Sequence, residues 1–202
     1  MNAARIIGIR RHRLQTDGDG VTTLVAFNGC PLRCKYCLNP HCWDPDTGKD
    51  YTPASLYEKV KVDQLYFLAT RGGVTFGGGE PLLYVDFIRE FRTLCGPQWQ
   101  VVVETSLNVP AESVEALDPV LDGYIVDIKD MNPEVYEAYT GKSNDLVLKN
   151  LEWLLRHGDP RRITVRVPRI PDFNTDADIE RSKARLEKMG AVVFDMFNYI
   201  IR

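Results

Sequence analysis

Three thiols fall within eight residues in Gly29-Cys30-Pro31-Leu32-Arg33-Cys34-Lys35-Tyr36-Cys37, at spacings of four and three. A loop holding thiolates this close suits three irons of a cubic [4Fe–4S] cluster, whose usual complement is four protein ligands. The missing fourth ligand leaves one iron open, and an open position is what separates a catalytic metal from a structural one. Two other readings stay open at this point. A zinc site would have His41 and Cys42 as its nearest further ligands, although structural zinc usually takes paired cysteines well apart in sequence. Cysteines also pack as small, inert hydrophobes. Cys42 and Cys95 read as ordinary thiols of this kind.

Further along lies Gly77-Gly78-Gly79-Glu80-Pro81. Consecutive glycines let backbone approach a ligand closely, and a carboxylate beside them can accept from an ammonium group. Taken alone, the run is equally a strand-to-helix turn. Glu104 ends a short apolar run, and Asp127-Ile128-Lys129 ends the next. Asp127 and Lys129 alternate in phase on one strand face, where a lysine can neutralise a bound carboxylate. The plain alternative is a surface ion pair of little worth. Arg166, in Val165-Arg166-Val167-Pro168, is a charge inside an apolar strand, which points to a pocket unless its head snorkels outward.

These residues need elements to hold them. Apolar runs predict strands at 24–28, 73–76, 101–103, 124–128, 163–167 and 191–197. Helical spacing predicts helices over 52–70, 84–94, 110–117, from Asn132-Pro133 onward, 145–157 and 175–189. Strands alternating with helices indicate parallel βαβ units. Six units are too few for a closed eight-fold barrel, so the expected fold is α/β, a partial (β/α)6 barrel. Active sites in such folds lie at the carboxyl ends of strands, and the residues above mostly fall there.

The 202 residues fit a single domain spanning 1–202, with 44% hydrophobic and 26% charged residues as in ordinary globular chains. A net charge of −3 gives no bulk attraction to nucleic acid or anionic lipid. No apolar run approaches the roughly 20 residues of a membrane-spanning helix. The basic stretch 1–13 has no apolar block behind it, so no secretory signal is expected. Five cysteines, odd in number and clustered, point to a reducing cytoplasm rather than a disulfide framework.

The CxxxCxxC pattern, with the aromatic Tyr36 before its last cysteine, resembles the radical SAM superfamily. Residues 28–44, NGCPLRCKYCLNPHCWD, resemble the cluster loop of glycyl-radical-enzyme activases of the pyruvate formate-lyase activating type, and DGDGVTT at 17–23 is similar to their lead-in. Extra cysteines for an inserted ferredoxin-like domain are missing, so the chain reads as a short form. The resemblance implies that Cys30, Cys34 and Cys37 bind a [4Fe–4S] cluster, with S-adenosylmethionine on its open iron. It implies cofactor contacts from Gly78, Gly79 and Glu80, the last on the amino group. Lys129 would meet the cofactor carboxylate, Glu104 and Asp127 would lie near a cation beside it, Arg166 would touch the cofactor, and Tyr36 would pack by the adenine. No side chain beyond these ligands is expected to be catalytic. Ile170-Pro171-Asp172-Phe173-Asn174 is similar to the family's P-G-x-N/S turn. Asn198-Tyr199-Ile200 departs from it, lacking the histidine that follows a Pro-Tyr pair.

The implied reaction releases methionine and a 5′-deoxyadenosyl radical, which takes a hydrogen from a backbone glycine of a partner glycyl radical enzyme. The electron would come from a flavodoxin or ferredoxin. Two other functions remain: a small-molecule or ribosomal-peptide substrate, as in the similar 7-carboxy-7-deazaguanine synthases for the former, and a non-catalytic, metal-stabilised binding module.

Overall fold

The structure, a computed structural model, describes residues 2–14 and 16–199. Its strands are β1 (Ala4–Leu14), β2 (Val21–Phe27), β3 (Lys49–Tyr51), β4 (Gly73–Gly78), β5 (Gln100–Thr105), β6 (Gly123–Asp127), β7 (Ile163–Arg169) and β8 (Val193–Asn198). They form one sheet in the order β3-β1-β2-β4-β5-β6-β7-β8. β1 runs antiparallel to both neighbours, whereas β2–β4, β4–β5 and β7–β8 pair in parallel. With β3 and β8 at its two edges, the mostly parallel sheet is open, as the α/β partial-barrel expectation requires.

The intervening helices are α1 (Pro53–Val60), α2 (Gln64–Thr70), α3 (Val85–Cys95), α4 (Ala111–Leu117), α5 (Pro133–Thr140), α6 (Asp145–His157) and α7 (Asp176–Met189). Thr52 caps α1 as its sequence suggests, with Pro53 at the first helical position and a reciprocal bond to Ser55. The single helix expected over 52–70 is two helices joined by a 3-10 turn at Lys61–Asp63. The break turns Asp63 inward, where it binds Arg11, His12 and Thr23. β1 and β3 carry no strand expectation at all.

The described residues gather into two compact units. One comprises residues up to Cys30 with Asn39–Thr105 and Glu112–Tyr124; the other comprises Pro31–Leu38, Ser106–Ala111 and residues from Ile125 onward. The core of the first is aromatic: Phe27 stacks on Phe76 and Tyr84, Phe76 meets Phe91 edge-on, and Phe67 meets Trp99. Full burial of a phenylalanine stabilises by roughly 1.5–3 kcal/mol relative to exposure. The second unit buries one face of α6 through Val147, Leu151, Leu154 and Leu155, and one face of α7 through Ile179 and Leu186.

A left-handed backbone residue stands at or just beyond the carboxyl end of five strands. These are Gly29 after β2, Gly78 ending β4, Leu107 after β5, Lys129 after β6 and Asp172 after β7. Three of the five are not glycine, and strain of this kind concentrates at functional sites.

Candidate functional site

In the first unit, the glycine-rich segment lies along the residues that lead into Cys30. Gly79 N–H donates to the Phe27 carbonyl at 2.9 Å, and Glu80 N–H donates to the Gly29 carbonyl at 2.7 Å. A Cβ on Gly79 would come within 2.0 Å of the Gly29 carbonyl oxygen, so glycine is needed for this approach alone. Gly78 has φ of 93°, and a Cβ there would meet Ala26 at 2.5 Å. Gly77 faces Glu104, whose Cβ lies 3.3 Å from where a Gly77 Cβ would be.

Glu80 is completely buried. Its Oε1 accepts from Leu82 N–H at 3.1 Å and from the Thr105 hydroxyl at 2.6 Å. Those bonds fix the carboxylate's orientation. Thr105 is a residue that the sequence argument missed; its only signal was its place beside Glu104 at the end of β5.

The second unit holds the remainder of the cysteine loop. Arg33 N–H donates to the Thr140 carbonyl at 2.9 Å and Lys35 N–H to the Tyr139 carbonyl at 3.1 Å. Helix ends leave carbonyls without intrahelical donors, and here the loop's amides occupy those at the end of α5. Cys37 N–H closes a turn onto the Cys34 carbonyl at 3.2 Å. The Tyr36 hydroxyl donates to Asp172 Oδ2 at 3.0 Å, and its ring packs near Phe173 and Tyr139.

Asp127 and Lys129 meet as expected, with Nζ 2.7 Å from Oδ2, though not by strand alternation. β6 ends at Asp127, and Lys129 returns to it from a left-handed turn with φ of 62°. Lys129 is only 8% exposed. Burial opposes its charge, yet Asp127, with Cys34 behind it, holds its pKa well above the ordinary lysine value. Burial pushes the Cys34 thiol up, while Lys129 pulls it the other way. Asp127 Oδ1 is buried without a hydrogen-bond donor among the described residues.

Arg166, on β7, is paired with Asp195 of β8 at 2.9 Å, and its carbonyl accepts Ile128 N–H at 3.1 Å. Asp195 is a further partner that sequence reasoning did not single out, and Asp172, read there only as part of the 170–174 turn, gains its bond to Tyr36 only through the fold. Ile200 lies outside the described residues.

Among the described residues no group of three His, Cys, Asp or Glu side chains encloses a single metal ion, so fit is judged on the donors themselves. Cys30, Cys34 and Cys37 are all half-buried. A buried cation beside Cys34 suits a site that must hold thiolates and an anionic ligand. The donorless Asp127 oxygen suits a ligand that brings a donor or a cation. Within the second unit, Cys34, Cys37, Asp127 and Lys129 therefore suit thiolate-held iron beside a zwitterionic cofactor.

Comparison with known proteins agrees with this chemistry. A model of the Radical SAM superfamily matches residues 24–185. The chain is 34% identical over 183 residues to the pyruvate formate-lyase-activating enzyme of Listeria monocytogenes, covering 84% of this chain and 72% of that one. It is 29% identical over 233 residues to the (2S)-3-sulfopropanediol dehydratase activating enzyme of Klebsiella oxytoca, covering 85% and 73%. Among solved structures, Streptococcus suis SuiB bound to S-adenosylmethionine shares the fold with a TM-score of 0.67 at 14% identity, over 88% of this chain and 42% of that one.

Proposed function

The chain belongs to the radical SAM superfamily and is an enzyme of the activating type; on that premise we propose that it cleaves S-adenosylmethionine to activate a glycyl radical enzyme. Cys30, Cys34 and Cys37 would hold the [4Fe–4S] cluster. When bound, the cluster supplies the electron that breaks a carbon–sulfur bond of S-adenosylmethionine, giving methionine and a 5′-deoxyadenosyl radical.

This chain's residues bind, orient and shield. Glu80, its carboxylate oriented by the Thr105 hydroxyl and Leu82 N–H, would meet the cofactor's ammonium group. Gly78 and Gly79 keep the backbone close to it. Lys129 would meet the cofactor's carboxylate, and Glu104 and Asp127 would lie near a cation beside that carboxylate. Arg166, steadied by Asp195, touches the cofactor, and Tyr36 lies against the adenine. No acid–base pair is required; correct placement and exclusion of water do the work. The hydrogen acceptor's target is a backbone glycine of a partner enzyme, with a flavodoxin or ferredoxin as electron donor. The reading extends to one catalytic domain over 1–202, working in the cytoplasm. No helix among the described residues is long and apolar enough to cross a membrane.

The observation that carries the proposal is the junction of the two motifs. Glu80 and Gly79 hydrogen-bond to the residues that deliver Cys30, in a chain whose relatives are activating enzymes. Anaerobic reconstitution with iron and sulfide, then S-adenosylmethionine and dithionite, is expected to yield 5′-deoxyadenosine, and Cys34→Ala is expected to yield none. Zinc uptake, or a cluster that never cleaves the cofactor under strong reduction, would sink the reading. A glycyl radical detected by electron paramagnetic resonance on a co-purifying large partner separates activation from small-molecule chemistry.

A further inference from the structure

Asp172 has φ of 66°, in the left-handed region that an L side chain enters at a cost and glycine enters freely. Aspartate is tolerated there when its carboxylate bonds locally, but Asp172 directs its carboxylate to the Tyr36 hydroxyl, 136 residues away in sequence, at 3.0 Å. Its neighbours secure the same turn. Phe173 meets the Tyr36 ring edge-on with centroids 5.7 Å apart and the Tyr139 ring at 5.0 Å. Asn174 is buried; it donates to Asp130 at 3.2 Å and to the Pro168 carbonyl at 3.0 Å, and accepts from Ile170 N–H at 2.6 Å.

The backbone around Tyr36 is already fixed without Asp172. Lys35 N–H is held by the Tyr139 carbonyl, and Cys37 N–H by the Cys34 carbonyl. What the carboxylate adds is control of the tyrosine ring itself, through its hydroxyl. An exposed hydrogen bond adds little to folding, so strain kept here points to a task other than stability.

We propose that Asp172 is a positioning residue for S-adenosylmethionine: by holding the Tyr36 hydroxyl, it sets the ring between Cys34 and Cys37 against which the cofactor's adenine lies. The proposal rests on the cluster and cofactor reading above and adds a residue to it.

The test is equilibrium calorimetry of S-adenosylmethionine on reconstituted protein, with iron content and melting temperature measured on the same samples. Asp172→Gly at wild-type iron content is expected to bind about fivefold more weakly, the size of one lost hydrogen bond. It is also expected to melt no lower than wild type, since glycine relieves the left-handed strain. Asp172→Asn keeps an acceptor oxygen and tolerates the same backbone, so it recovers most of the affinity. Tyr36→Phe repeats the loss, and the double variant with Asp172→Gly binds no more weakly than either single one.

Wild-type affinity in Asp172→Gly, or losses that multiply in the double variant, overturns the proposal. So does an Asp172→Gly protein that melts well below wild type, which assigns the residue to folding. A wild-type chain that takes up no cluster or binds no S-adenosylmethionine overturns the underlying reading instead, and shows it before any variant is made.

Discussion

A buried lysine keeps its charge only where an anion holds it, and Lys129 has the Asp127 carboxylate beside it. Lys129→Met is therefore expected to leave the cluster in place and weaken S-adenosylmethionine binding about tenfold or more, read by calorimetry. It also strands the Asp127 carboxylate, at a cost of roughly 3 kcal/mol in denaturant unfolding. Unchanged affinity would remove Lys129 from the cofactor. A second carboxylate governs acid stability. Asp63, buried against Arg11, His12 and Thr23, has its pKa held below the ordinary aspartate value, first by the Arg11 hydrogen bond and against the pull of burial. The unfolded chain then binds the proton more readily than the folded one. Asp63's contribution is full above the ordinary aspartate pKa and disappears as pH falls through the depressed one. Asp63→Asn is expected to lower the melting temperature at pH 7 and to flatten its fall between about pH 4 and pH 2; parallel curves for both proteins would refute this. At this scale the motif residues were legible because ligand chemistry is written in local spacing. Thr105, Asp172 and Asp195 were not, since each acts on a partner distant in sequence.

Helices α3, α4, α6 and α7, and the start of α5, follow from their apolar spacing and caps to within a residue or two, because those signals are local. β1 was illegible for the opposite reason. Its second half, Arg10-Arg11-His12-Arg13, has no apolar alternation, and it is a strand because β2 pairs along it, while β3 pairs only with Ala4–Ile6. Its register slips between Arg10 and Arg13, where His12 takes φ of 56°. The unbroken helix expected over 52–70 failed for a related reason: burying Asp63 is a tertiary demand that overrides helical continuity. The glycine segment after β4 carries the sharpest prediction at this scale. Gly79→Ala drives a methyl into the Gly29 carbonyl, so the segment must part from the cysteine loop. The variant is expected to melt several degrees lower, about 4 °C per kcal/mol lost, and to load less iron. A variant that melts and loads like wild type would show that the two segments separate freely.

Across the whole molecule, the count of alternating strands and helices was enough to anticipate an open α/β sheet, and the edge strands β3 and β8 agree with it. A ligand that binds only the folded chain raises its stability by mass action. Iron chelation of reconstituted protein is accordingly expected to lower the melting temperature, and identical melting before and after would mean that the cysteine loop is indifferent to its metal. The last carbonyls of α5 accept the amides of Arg33 and Lys35, backbone bonds that involve none of the cysteine thiols. In hydrogen–deuterium exchange of the metal-free protein, those two amides should stay protected for as long as α5 itself remains folded. Protection of that kind would mean that the helix, rather than the metal, shapes this stretch of the loop, and that the time taken to load the cluster is set by collision and sulfide supply rather than by the chain searching for a shape.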